Sequence, residues 1–116
     1  MKYISLNHNS APTSFKNAVI NGLAPDKGLY FPEKDVKLPK SFIESLKSLD
    51  NNEICYEVIS NYIDDEIPKN KLLEIVNDTI SFKIPLKKIE QSVYSLELFH
   101  GPTLAFKDIG AKFMAS

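Results

Sequence analysis

The sequence contains no arginine, and all 14 of its basic residues are lysines. The planar fork that grips carboxylates and phosphates in bidentate fashion is therefore absent. Any anion site must use lysine, backbone amides or groups from elsewhere. Cysteine is nearly as scarce: Cys55 stands alone, which excludes an internal disulfide and any thiolate-built metal centre. It reads as a small buried hydrophobe. No apolar run approaches the roughly 20 residues of a membrane span, and the opening Met1-Lys2-Tyr3-Ile4-Ser5-Leu6-Asn7-His8 lacks the apolar core of a signal peptide. These absences predict a cytoplasmic chain that engages no membrane. A net charge of −1, with lysines spread along the chain, removes the electrostatic case for nucleic acid. Glycine is sparse too. Gly22, Gly28, Gly101 and Gly110 are the only four, and no two of them form a phosphate-cradling loop.

What is present is enough for one small globular unit: 116 residues, 43% of them hydrophobic. Lys2 to Leu6 alternates weakly and reads as a short strand. A helix is expected from Thr13 or Ser14, with Phe15, Ala18, Val19 and Leu23 on one face and Gly22 ending it. Pro25-Asp26-Lys27-Gly28 reads as a type I turn with glycine in last place, leading into a strand Leu29-Tyr30-Phe31 closed by Pro32.

The middle reads as three helices. Ser41 and Glu44 have the spacing of a capping box, ahead of the face Phe42, Ile43, Leu46 and Leu49. Asn52 is placed to cap a second helix whose face is Ile54, Cys55, Val58, Ile59 and Tyr62. After the acidic turn Asp64-Asp65-Glu66, read as a solvated loop, Pro68 suits the first position of a third helix carrying Leu72, Leu73, Ile75 and Val76. From Phe82 the texture becomes extended: Ile84-Pro85-Leu86 and Ile89, then Ser92 to Phe99, with Tyr94, Leu96 and Leu98 on one face. Residues 82–116 thus read as strand, loop and helix, the opening of an α/β layer without partner strands.

One lysine sits apart from the rest. Lys107 lies between Phe106 and Asp108 at an expected helix start, after His100-Gly101-Pro102-Thr103 and an apolar Leu104-Ala105-Phe106 run. Two readings stand on the residues alone. In one, the positive end of the helix dipole and burial against Leu104, Phe106 and Phe113 favour a neutral, nucleophilic amine able to bond an aldehyde such as pyridoxal phosphate. In the other, Lys107 is the first exposed side chain of a helix capped by Asp108. Asp108 itself either caps the helix or turns inward to hold the ammonium. His100 and Thr103 are equally open, as a proton shuttle and a site residue or as plain loop hydrogen-bonders.

Beside these readings stands a resemblance. Glu97-Leu98-Phe99-His100-Gly101-Pro102-Thr103-Leu104-Ala105-Phe106-Lys107-Asp108, continued by Gly110, Phe113 and Met114, closely resembles the lysine segment of the threonine synthase family, fold-type-II pyridoxal-phosphate enzymes. Gly22 to Pro32 resembles that family's N-terminal signature, and Asp65-Glu66-Ile67-Pro68 its middle helical region. A departure lies near the start, where Ser5-Leu6-Asn7-His8-Asn9 stands in place of the Ser-Thr-Arg-Gly of many members.

The resemblance implies an α+β chain. A mainly helical N-terminal domain with short strands would occupy residues 1–81, and residues 82–116 would be the first strand and helix of an α/β catalytic domain. It implies that Lys107 carries pyridoxal 5′-phosphate as a Schiff base, that Phe106 packs near the cofactor ring, and that His100 and Thr103 line the substrate side. The implied reaction converts O-phospho-L-homoserine and water to L-threonine and phosphate, with no metal. The phosphate cradle would come from the remainder of the catalytic domain, leaving these 116 residues inactive alone. A noncatalytic threonine-synthase-like interaction module and a sister pyridoxal-phosphate-dependent dehydratase are the alternatives.

Overall fold

A computed structural model describes every residue from Met1 to Ser116. The chain divides into two compact units, Met1–Leu72 and Leu73–Ser116. In the first, strand β1 (Tyr3–Ser5) pairs antiparallel with β2 (Tyr30–Pro32), Ile4 opposite Phe31. Between them runs α1 (Phe15–Asn21), bounded as its caps demand: the Ser14 side chain accepts from the Asn17 amide, and Gly22 ends the helix at φ 69°. Then come α2 (Lys40–Ser45) with a 3-10 turn, α3 (Asn51–Ile63) with the 3-10 turn Asp64–Glu66, and α4 (Lys69–Thr79). Helices dominate the middle, as the periodicity predicts.

The core of this unit holds Tyr3, Ala18, Ala24, Ile63 and Leu72. Ile63 is 0% exposed, and its burial contributes about 1.5–3 kcal/mol by apolar area. Tyr3 donates its hydroxyl to the Tyr62 carbonyl at 2.8 Å and packs its ring on Phe15 with centroids 5.8 Å apart. Strand β1 is thereby tied both to the end of α3 and to the start of α1.

Two expected helix starts are corrected. Ser41 caps nothing, because α2 has already begun at Lys40: the Phe42 and Ile43 amides bond back to the Pro39 carbonyl at 3.0 and 3.2 Å. Glu44 pairs instead with Lys40, four residues earlier, at 3.5 Å. The capping box lies at Asp50 and Glu53, whose side chains each accept the other's amide at 2.8 Å, so Asp50 and not Asn52 caps α3. Pro68 lies one residue ahead of α4 and accepts the Leu72 amide at 3.0 Å.

The acidic turn is more than a solvated loop. Asp64 accepts from the Met1 ammonium at 2.5 Å, and Glu66 accepts the Phe15 and Lys16 amides at 2.9 and 3.0 Å, capping α1 from 50 residues away. Burial works to raise the Glu66 carboxyl, but the Lys16 and Phe15 amides outweigh it and hold the group below its ordinary value.

The Gly28 turn also differs from its expected form. Lys27 takes the left-handed conformation at φ 66° and donates to the Ala24 carbonyl at 2.8 Å. Gly28 is needed for close approach, since a Cβ there would overlap Ser5 Oγ. Beside it, Asp26 accepts from Ser5 Oγ at 2.6 Å, the Asn9 amide at 2.9 Å and the Gly28 amide at 3.0 Å. The Ser5 hydroxyl, against a smaller opposing effect of burial and with those amides and Ser10 adding to it, lowers the Asp26 carboxyl to about 2.

In the second unit the extended texture becomes a hairpin. Strand β3 (Leu86–Glu90) pairs antiparallel with β4 (Val93–Leu96), Lys88 opposite Tyr94, with an irregularity at Ile89 and Ser92 in the turn at φ 64°. The partnerless strand is thus corrected: the two extended pieces partner each other. Gln91-Ser92 is short enough to fold one back on the other. Helix α5 (Asp108–Ala115) follows. Asp78, near the end of α4, accepts from Ser116 Oγ at 2.8 Å and Lys112 Nζ at 3.4 Å, which fastens α5 to it. No helix is long and apolar enough to cross a membrane.

Candidate functional site

The segment from His100 to Asp108 is built from two successive turns. Pro102, with its fixed φ, occupies the second position of the turn Gly101–Leu104, closed by the Leu104 amide on the Gly101 carbonyl at 3.1 Å. Leu104 then takes φ 59°, a left-handed conformation that costs a leucine about 1–2 kcal/mol. A second turn closes from the Asp108 amide to the Ala105 carbonyl at 3.1 Å. Lys107 follows Phe106 in that turn and stands at the N-cap of α5, its carbonyl accepting the Ala111 amide at 2.9 Å. The helix therefore starts where the sequence places it.

Asp108 takes neither of its two expected directions. Its carboxylate turns back across the first turn, accepting the Thr103 amide at 2.9 Å and the Thr103 hydroxyl in a short hydrogen bond. It is 4% exposed. The Thr103 hydroxyl, opposed by burial and joined by the amides of Thr103, Ala105 and Leu104, keeps the carboxyl below its ordinary value. Gly101 makes the packing possible, because a Cβ there would overlap Asp108 Oδ2 and lie 2.7 Å from Asp108 Cβ.

The expected burial of Lys107 is corrected. Lys107 is exposed, and Leu104 and Phe106 are themselves 74% and 66% exposed. The left-handed turn at Leu104 gives that side chain to solvent, so neither residue shields the amine. Its ammonium lies 5.7 Å from the centre of the Phe106 ring, within cation–π range.

Of the sequence-predicted residues, then, Lys107 and Phe106 stand together, and Thr103 is engaged with Asp108. His100 is turned to Glu97, with Nε2 2.7 Å from its carboxylate, and its ring lies 4.7 Å from that of Phe99. No hydrogen bond joins His100 to the other three. Two participants escape a reading of the sequence: Glu97 as the partner of His100, signalled by an i, i+3 spacing, and Gly101 as the seat of Asp108. The latter has no local signal beyond the turn residues Gly-Pro-Thr.

An aldehyde cofactor with a phosphate group can be tested against these groups. Lys107 offers an exposed primary amine at a fixed helix start, which fits the aldehyde end. The phosphate end is not served by the same turn, because the amides that converge there already face the Asp108 carboxylate. In the first unit an open recess of about 670 Å³ includes Lys2, Glu33, Lys34, Asp64, Asp65 and Glu66 among its lining. It contains none of the predicted site residues. Asp64 and Glu66 are already committed to Met1 and to α1, and no group of His, Cys, Asp or Glu is arranged to hold a metal ion.

Comparison with known proteins bears on the same segments. Residues 2–80 match the family model described as the threonine synthase N terminus. The chain belongs to the threonine synthase family. It is 41% identical over 115 residues to the threonine synthase of Haemophilus influenzae, an alignment covering 99% of this chain and 27% of that protein. Among solved structures, threonine synthase from Escherichia coli superposes with a TM-score of 0.92 at 40% identity, over 99% of this chain and 27% of that one. A pyridoxal-phosphate-bound threonine synthase from Brucella melitensis does so with a TM-score of 0.94 at 32% identity, over 99% and 26%. The chain thus spans about a quarter of the length of the threonine synthases it matches.

Proposed function

We propose that these residues form the N-terminal part of a pyridoxal-phosphate-dependent threonine synthase, which converts O-phospho-L-homoserine and water to L-threonine and phosphate in the cytoplasm. Lys107 would hold the cofactor covalently through Nζ, with Phe106 as the neighbouring aromatic contact. The observation that carries this reading is the position of Lys107: an exposed amine at the N-cap of α5, on a doubly closed turn, within a chain similar throughout to threonine synthases. When bound, the cofactor supplies an electron sink for carbanions next to the substrate nitrogen. The Lys107 amine would carry protons between neighbouring substrate carbons, because its Cα is fixed and only the side chain swings. His100 and Thr103 line the substrate side, Thr103 with its hydroxyl already engaged by Asp108.

We place the domain boundary between residues 81 and 82, after α4, since a helix is an unbroken rod and the family match ends at residue 80. On this reading β3, β4 and α5 open the catalytic domain. The remainder of that domain covers their exposed Leu86, Ile89, Val93, Tyr94 and Leu96 and supplies the phosphate cradle. Residues 1–116 alone are then inactive. Phosphate release from O-phosphohomoserine by the complete enzyme tests the reading. Lys107→Ala should abolish it while Lys37→Ala, at an exposed position of the first unit, leaves it intact. Normal turnover by the Lys107 variant, or a wild-type protein that ignores phosphohomoserine, would refute it and leave the noncatalytic or dehydratase alternatives.

A further inference from the structure

We propose that Asp108 is the positioning residue of the Lys107 amine, its carboxylate clamped to Thr103 and seated on Gly101 so as to fix where the lysine leaves the main chain. The inference rests on the reading of Lys107 given above and adds a role that neither the motif nor the fold assigns.

Asp108 is among the most buried residues of its unit, while Leu104, Phe106 and Lys107 beside it are exposed. The Asp108 carboxylate turns five residues back along the chain, to Thr103. Its two oxygens are engaged separately, Oδ1 by the Thr103 hydroxyl and Oδ2 by the Thr103 amide at 2.9 Å. The loop from Gly101 to Asp108 is thus held twice. The main chain closes it through Leu104 to Gly101 and Asp108 to Ala105, each at 3.1 Å, and the side chain closes it again from Asp108 to Thr103.

Glycine at 101 is required for the second closure, because any Cβ would occupy the space of the carboxylate. Leu104 at φ 59° needs such a hold, since an isolated leucine would relax out of that conformation. Lys107 lies inside this double closure, next in sequence to the clamped residue. Its Cα is fixed by the closure of Asp108 on Thr103, while its side chain stays free to swing. Fixed origin and free tip are what an amine needs if it is to hold one molecule and then carry protons at defined carbons.

A role through position differs from a role through charge, and asparagine separates them. In Asp108→Asn the new amide can accept from the Thr103 backbone through Oδ1 and donate through Nδ2 to the Thr103 hydroxyl, which reverses its direction; alanine can do neither.

The test uses the complete enzyme reconstituted with pyridoxal phosphate. It measures the covalently trapped fraction after borohydride reduction, the visible circular dichroism of the bound cofactor, and the split between kcat and KM. Asp108→Ala and Thr103→Val should lose most of the dichroism per bound cofactor and about 100-fold in kcat, with KM for Asp108→Ala within about threefold. Asp108→Asn and Thr103→Ser should recover most of both. If Asp108→Ala does not fold, Thr103→Val carries the same expectation. Wild-type dichroism and kcat in Thr103→Val and Asp108→Ala would overturn the clamp while leaving the lysine reading intact. So would a rise in KM alone for Thr103→Val, which marks substrate contact, or an asparagine variant as damaged as alanine, which marks charge. Covalent trapping that survives Lys107→Ala would instead remove the lysine reading, and this inference with it.

Discussion

In residues 1–72 Asp26 gathers Ser5, Asn9 and Gly28 around one carboxylate, and in residues 73–116 Asp108 gathers Thr103 and its turn around another. Each is paired with a glycine that has no room for a side chain, Gly28 against Ser5 and Gly101 against Asp108. The two settings then diverge. The Asp26 unit closes on a core of Tyr3, Ala18, Ala24, Ile63 and Leu72, and its charged groups serve as ties and caps. The Asp108 turn is flanked by exposed Leu104, Phe106 and Lys107 and preceded by a hairpin whose residues are all exposed. One local device, a buried or bridged carboxylate holding a loop, builds scaffold in the first case and displays an amine in the second. Function is expected where the clamp leaves large groups unsatisfied.

Substitutions that separate display from scaffold sharpen this contrast. The largest effect is expected at the displayed amine: Lys107→Ala should lower phosphate release by the complete enzyme at least about 10³-fold, within the range of losing a positioned proton carrier. Its cofactor-free form should unfold at the midpoint of the cofactor-free wild type. Ile63→Ala should do the reverse. It should cost about 2–5 kcal/mol of stability, read by denaturant unfolding, because it empties a fully buried site. A smaller loss, about 1–3 kcal/mol, is expected for Gly28→Ala, whose Cβ collides with Ser5 Oγ. If Gly28→Ala harmed chemistry but not stability, the scaffold assignment of the first unit would be wrong.

The acid limb of stability is subtler still. The Asp26 carboxyl is depressed from 3.8 to about 2 in the folded chain. The unfolded state therefore binds the proton first as pH falls, so the contribution is fully present above the unfolded value and is lost as pH drops from about 4 through 2. Asp26→Asn should flatten the pH dependence of stability in that window; an unchanged slope would show the network to be idle. The smallest effect is a null. Residues 1–116 alone should bind pyridoxal phosphate no better than a generic lysine-bearing protein, judged by borohydride trapping at Lys107. Stoichiometric trapping there would break the division of labour proposed for the cofactor's two ends.

How much of this is legible in the sequence depends on distance along the chain. The α1 caps at Ser14 and Gly22 and the start of α5 beside Lys107 are readable because cap, turn and helix lie within a few residues of one another. The capping-box spacing points to Ser41 and Glu44, yet the same spacing recurs at Asp50 and Glu53. What decides between them is Pro39, which starts α2 two residues too early for Ser41 to cap it. The Glu66 cap on α1 and the Ser5–Asp26 hydrogen bond join residues 51 and 21 positions apart, and no periodicity announces such pairs. At the site, the motif marks Lys107. The apolar run before it suggests burial, but the left-handed turn at Leu104 opens that run to solvent instead.

The most direct test of the central claim is to reduce the complete enzyme with borohydride in the presence of pyridoxal phosphate and to map the modified peptide. One cofactor per chain is expected, attached to Lys107 in the peptide containing Phe106 and Asp108. Stoichiometric attachment at any other lysine, with Lys107 unmodified, would contradict it.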